Sequence, residues 1–141
     1  MASSTRAGII PTLRYADAKA AIAFLCGAFG FKKHRVIEGE GGTIEHAQLT
    51  LAGGMIMLGS ARSSDNDALV APPSQTGTLT QCPYVVIEEI DGHCAKAKAA
   101  GATIVTEFAD QPHGDQLYAA KDPEGQLWCF GSYDSWAAEP F

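Results

Sequence analysis

The chain has 141 residues, with 10 Lys and Arg against 16 Asp and Glu for a formal net charge of −6. That length predicts a single domain spanning 1–141 with a core of its own, and a composition of 46% hydrophobic, 18% charged and 9% aromatic residues excludes a disordered or fibrous chain. The acidic balance, in which Lys32, Lys33 and Arg35 form the only basic cluster, argues against nucleic acid, and no apolar run nears the ~18 residues of a membrane span.

The opening MASSTRAG lacks an apolar signal core, which points to the cytoplasm. None of the spacings among Cys26, Cys82, Cys94 and Cys129 is that of a zinc finger, so reduced thiols are expected. Fifteen glycines in so short a chain announce many turns.

Residues Ile9 to Tyr15 read as a strand, and Asp17 as the N-cap of a helix with Ala21, Phe24, Leu25, Ala28 and Phe29 on one face and Gly30 as its stop. Phe31 to Glu38 reads as a second strand. Ile44 to Leu51 alternates, with Ala47, Leu49 and Leu51 one way and His46, Gln48 and Thr50 the other, and Gly53-Gly54 turns it into Met55 to Gly59. This is a βαβββ module over about 8–60. Residues 61–81, rich in Ser, Asp, Pro and Thr, form a linker or surface loop.

The order then repeats over about 82–133. Cys82 to Glu89 is a strand, Asp91 caps a helix that Gly101 stops, Ala102 to Phe108 is a strand, and Asp115 to Lys121 and Gln126 to Ser132 make a hairpin across Asp122-Pro123-Glu124-Gly125. Pro11 and Pro83 are 72 residues apart, as are Gly53 and Gly125, while the caps Asp17 and Asp91 differ by 74 and the stops Gly30 and Gly101 by 71. A period this long, present twice, is a duplicated half-domain. The expected fold is α+β: two βαβββ modules forming a curved mixed sheet, edge to edge, around a cleft. Parity assigns Ile9, Leu13, Ala47, Leu49, Ile56, Leu58, Val85, Ile87, Trp128 and Phe130 to the helix-covered faces. It assigns Ile10, Thr12, Arg14, His46, Gln48, Met55, Met57, Cys82, Tyr84, Val86, Leu127 and Cys129 to the cleft.

The stretches PTLRYADAKAAIAFL, EHAQLTLAGGMIMLGSA, IDGHCAKAKAAGATIV and DPEGQLWCFGSYD resemble the glyoxalase, bleomycin-resistance and extradiol-dioxygenase (vicinal oxygen chelate) superfamily, and most of all its PhnB-like branch. The resemblance covers about Ile9 to Tyr133. It implies a ligand-binding cleft, a homodimer and, in metal-using members, ligands from the first and last strand of each module. Those four positions here hold Ile10, Met57, Cys82 and Cys129, related in pairs by the offset of 72. A hard divalent ion wants oxygen and imidazole donors, so neither a bound metal nor any other cofactor is expected. Cys82, Cys129 and Met57 are either small buried apolar groups or a soft-metal or redox site.

Among the remaining candidates, His46 either orients a ligand beside Gln48, acts as a general base, or meets solvent. Arg14 either pairs with an anionic ligand or forms a salt bridge with Asp17 or Glu88, and His113, in the loop entering the second hairpin, either touches a ligand at the cleft mouth or lies in a solvated turn. His34 and His93 read as surface residues, and Trp136 either closes a cleft or covers a partner chain. The residues expected to bind ligand are Ile10, Arg14, His46, Gln48, Met55, Met57, Cys82, Tyr84 and Cys129. The function expected is metal-independent binding of a small organic molecule, in the manner of the antibiotic-sequestering members. The alternative is a glyoxalase-like lyase or isomerase.

Overall fold

Two blocks of alternating and helical segments fold into two copies of one unit. The computed structural model describes residues 8–62, 69–112 and 114–137, apart from the side chain of Phe108. The first module comprises β1 (Thr12–Tyr15), α1 (Ala18–Phe24), β2 (Lys32–Glu38), β3 (Ile44–Leu51) and β4 (Gly54–Ser60). A single helical turn, α2 (Pro73–Thr76), lies in the connection. The second module comprises β5 (Tyr84–Val86), α3 (Ile90–Ala99), β6 (Thr103–Asp110), β7 (Gln116–Lys121) and β8 (Leu127–Gly131).

Each module makes a four-stranded sheet, of order β1-β4-β3-β2 and β5-β8-β7-β6, with one parallel pair in each. The register repeats as the sequence does. Thr12 faces Met57 on β1 and β4, and Tyr84 faces Cys129 on β5 and β8, both pairs shifted by 72. Even a side-chain hydrogen bond is duplicated: Ile44 N–H donates to Ser60 Oγ at 2.8 Å, and Gln116 N–H donates to Ser132 Oγ at 2.9 Å. No described helix is long and apolar enough to cross a membrane.

The structure moves several expected boundaries. Strand β1 starts at Thr12, because Pro11 has no N–H to give a ladder; its carbonyl still accepts from Met57 N–H at 2.9 Å. Ile9 is therefore outside the sheet and 90% exposed, not on the helix-covered face. Asp17 caps α1 as expected, its carboxylate accepting from Ala20 N–H at 3.1 Å. The second cap is Glu89 and not Asp91, since burying Ile90 fully in the core draws the first turn back; Asp91 sits within that turn and accepts from Gly92 N–H.

With the caps at Asp17 and Glu89, the offset there is 72, and it falls to 71 only at Gly30 and Gly101. The first helix thus carries one residue more than the second. It is accommodated in the wide π-helical turn Leu25–Phe29 that continues α1, the usual shape of a one-residue insertion in a helix.

That turn swings Phe29 across to the second module. Its ring lies 4.8 Å from Phe130 and 5.9 Å from Trp128, centroid to centroid, and Phe31 lies 5.4 Å from Trp128. His93, expected on the surface, is half-buried in this junction: Nε2–H donates to the Phe29 carbonyl at 2.7 Å and Nδ1 accepts from the Tyr118 hydroxyl. Burial lowers its pKa below the ordinary imidazole value. At the other end of the junction, the buried Tyr15 hydroxyl donates to Asp122 at 2.6 Å, and Ala16 and Asp17 N–H donate to the Glu124 carboxylate at 2.6 and 2.8 Å. The edge-to-edge arrangement expected from the repeat holds, with β1 and β5 as the facing edges, but the sheets do not share a ladder. No described strand of one sheet is hydrogen-bonded to a strand of the other, and aromatic packing and these side-chain bonds join the modules instead.

The β3–β4 hairpin turns at Ala52-Gly53 and not at Gly53-Gly54, because Leu51 and Gly54 pair across it. Both turn residues have positive φ, 52° and 81°, the backbone of a two-residue hairpin loop of the primed type. A methyl side chain is poorly suited to that region. Ala52→Gly is expected to raise stability by about 0.5 kcal/mol, and Ala52→Pro, locked at negative φ, to lower it; urea unfolding midpoints check both.

Candidate ligand-binding site

Alternation gives each sheet a buried face and an open one. Leu13, Tyr15, Ala47, Leu49, Ile56 and Leu58 turn to the core, which leaves Thr12, Arg14, His46, Gln48, Met55 and Met57 on the open side of the first sheet. Trp128 and Phe130 turn inward in the second sheet, and Tyr84 and Cys129 outward.

Matched glycines on the last strands make room for side chains on the open faces. A Cβ at Gly59 would lie 2.7 Å from Arg14 Nη1, so the guanidinium rests directly on the backbone of β4. A Cβ at Gly131, 72 residues on, would lie 2.8 Å from Tyr84 Cε1, so the hydroxyl end of the phenol ring rests directly on β8. The Tyr84 hydroxyl donates to the Tyr133 carbonyl at 2.7 Å, and burial together with the Asp115 carboxylate pushes its pKa up, keeping it a neutral donor.

Two cavities open where the free edges of β1 and β5 approach each other. The larger, of about 660 Å³, lies between Pro11–Arg14, the connecting segment at Thr78–Gln81, and Cys82, Pro83 and Gln126. The smaller, of about 310 Å³, is apolar, with Ile9, Leu51 and Met55 on one side and Tyr84, Val85 and Val86 on the other. Pro11 and Pro83, the repeat markers, line both, so the two cavities abut at that pair.

The expected ligand-binding residues are distributed as follows. Arg14 and Cys82 line the larger cavity, Met55 and Tyr84 the smaller. His46 and Gln48 lie outside both linings and contact each other on the open face of β3, where Gln48 Nε2 donates to His46 Nε2 at 3.1 Å. Ile10, Met57 and Cys129 are also outside both linings, although Cys129 Sγ lies 3.2 Å from Cys82 Sγ. Sequence reasoning missed the connecting segment as a cavity wall, and took the prolines only as repeat markers. Trp136 is 96% exposed. His34 is exposed as expected, and His113 lies outside the described residues.

The four positions that would ligate a metal hold an alkyl group, a thioether and two thiols. Burial and the neighbouring Cys82 thiol push the Cys129 pKa up to about 11, so it stays protonated at neutral pH. This donor set does not fit a hard divalent ion, which needs oxygen or imidazole ligands.

Comparison with known proteins accords with this architecture. A family model described as the Glyoxalase/Bleomycin resistance protein/Dioxygenase superfamily matches residues 9–130. The chain is 29% identical over 131 residues to an uncharacterized protein of Mycobacterium bovis, covering 93% of this chain and 86% of the other. It is similar to the crystal structure of TioX from Micromonospora sp. ML1, with 29% identity, a TM-score of 0.67, and coverage of 89% of this chain and 97% of that one. A putative 3-demethylubiquinone-9 3-methyltransferase, the PhnB protein of Bacillus cereus, shares the fold at 18% identity and a TM-score of 0.63, covering 88% of this chain and 98% of that one.

Proposed function

The chain belongs to the Glyoxalase/Bleomycin resistance protein/Dioxygenase superfamily, and from that premise we propose that it binds and sequesters a small organic molecule without a metal. The observation that carries this reading is the pair of abutting cavities between the β1 and β5 edges. They offer an apolar compartment and a polar one within reach of a single ligand. The ligand's apolar body would lie against Met55 and the Tyr84 ring, where an aromatic contact contributes about 0.5 to 1.5 kcal/mol beyond area burial. Arg14 and Gln126 would orient an uncharged hydrogen-bond acceptor on the ligand, since a guanidinium repels a cationic group. The net charge of −6 favours a cationic ligand over an anionic one at long range.

We further infer that the protein works as a cytoplasmic homodimer. Val105 and Tyr133 are each more than 40% exposed, large apolar side chains outside the ligand cavities that a second copy would cover. Light scattering of the purified chain reports the mass.

Binding is tested with bleomycin and with the planar cation acriflavine, by thermal shift and by fluorescence titration, with and without EDTA. The expected result is saturable stabilisation by at least one of them, unchanged by EDTA. It is weakened roughly tenfold by Tyr84→Ala, about 1.4 kcal/mol. Gly131→Ala, which drives a Cβ into the Tyr84 ring, should weaken it comparably. Turnover of the methylglyoxal–glutathione hemithioacetal, or binding that EDTA abolishes, would overturn the reading in favour of a lyase or isomerase.

A further inference from the structure

Cys82 and Cys129 are closer to each other than ligand binding requires. Their Sγ atoms are 3.2 Å apart, and a disulfide needs about 2.05 Å, so closure takes a movement of little more than 1 Å. The two segments are already in register, because Cys129 N–H donates to the carbonyl of Pro83, the residue after Cys82, at 3.0 Å. Both thiols are half-buried, and Cys82 opens onto the larger cavity, which gives a small reagent a path to it. The other cysteines differ: Cys94 is buried on the inner face of α3, and Cys26 sits in the π-helical turn, its thiol pushed up by burial.

We propose that Cys82 and Cys129 form a reversible intramolecular disulfide by exchange with a low-molecular-weight disulfide that enters through the larger cavity. Cys82, as thiolate, attacks one sulfur of the small disulfide and expels one small thiolate, leaving a mixed disulfide on Cys82. Cys129 then gives up its proton and attacks the Cys82 sulfur, forming the protein disulfide and expelling the second small thiolate. The two protein sulfurs together lose two electrons, which the small disulfide gains, and the two thiol protons end on the two released thiols. Cys82 attacks first because it faces the cavity. Cys129, which lies outside the cavity lining, is the resolving thiol, and burial together with the neighbouring Cys82 thiol holds it protonated until a mixed disulfide stands beside it. The bond would fasten the start of β5, and with it one wall of the larger cavity, to β8.

The test uses the full chain, reduced and desalted, then equilibrated over a series of oxidised-to-reduced glutathione ratios, quenched in acid, alkylated and mapped by peptide mass spectrometry. The expected result is one linked peptide pair, Cys82 with Cys129 of the same chain, with Cys26 and Cys94 alkylated throughout and full reversal by dithiothreitol. Cys129→Ser should stop at glutathione on Cys82, and Cys82→Ser should give neither adduct nor link. The proposal is overturned if both thiols stay alkylatable at the most oxidising ratio, if the link joins two chains or involves Cys26 or Cys94, or if wild-type Cys82 keeps its glutathione. Glutathione accumulating on Cys129 in Cys82→Ser, and none on Cys82 in Cys129→Ser, would overturn the order of attack.

Discussion

Asp122→Asn is expected to destabilise the fold by about 3 kcal/mol, although it changes one atom of a side chain that touches no ligand cavity. The carboxylate is 5% exposed and fully used. One oxygen accepts from the Tyr15 hydroxyl at 2.6 Å and from Trp128 Nε1–H at 3.2 Å, the other from the backbone N–H groups of Glu124 and Gln126 at 3.1 and 3.0 Å. An amide has one accepting oxygen. Turned one way its NH2 faces two backbone N–H groups, and turned the other it faces the Trp128 indole N–H beside the Tyr15 hydroxyl, which alone can turn to accept, so at least one donor is left unsatisfied in the interior. The same residue holds the Tyr15 end of the junction between modules, so the loss should appear in global urea unfolding and not as local fraying.

Burial outweighs the four hydrogen bonds and raises the Asp122 pKa above 3.8, which fixes the sign of the pH dependence. A raised folded value means stability that is fully present below the ordinary carboxylate pKa and is lost as pH rises through the elevated one. Asn does not titrate, so the deficit of Asp122→Asn should be larger near pH ~4 than near pH ~7. A deficit that grows with pH would show instead that the hydrogen bonds to the carboxylate outweigh its desolvation.

Phe29→Ala should cost about 3 to 5 kcal/mol, the range for emptying a fully buried aromatic site. The ring is 0% exposed and meets Phe24, Trp128, Phe130 and His93. Those neighbours belong to both modules and are held by their own sheets and helices, so the cavity has little means of collapse. Phe29→Leu, which keeps most of the volume, should recover more than half of the loss. Chemical denaturation followed by tryptophan fluorescence reads both, since Trp128 lies against the site. A loss under about 1 kcal/mol for the alanine variant would mean that the modules are joined mainly by the polar bonds at Tyr15 and Glu124.

The repeat was legible because glycine and proline mark turns wherever they occur, and the 72-residue spacing of Pro11 and Pro83 reappears in the strand register itself. Side-chain parity likewise separated Leu13, Ala47, Leu49, Trp128 and Phe130 from Arg14, Met57 and Tyr84, because alternation in a half-covered strand is local physics. What escaped depends on packing between distant segments. Ile90 pulls the second helix cap back to Glu89, His93 is covered by a ring from the other module, and Ala52 takes a turn conformation that its residue type does not advertise. The cavity linings were only partly legible for the same reason: Arg14, Met55, Cys82 and Tyr84 were in the expected set, but the way two sheets meet has no signature along one strand.

The surplus residue in the first helix makes the halves complementary rather than alike. Counting back from the matched stops Gly30 and Gly101, Phe29 corresponds to Ala100, so only the first half carries a plug. The pocket that receives it is built from His93, Trp128 and Phe130, whose counterparts at a spacing of 72 are Ala21, Ile56 and Leu58. A tandem of two second halves would have two sockets and nothing to fill them, and a tandem of two first halves would have two plugs and shallow aliphatic seats. Behind its duplicated topology the chain joins two unlike halves, one carrying the plug and the other the socket.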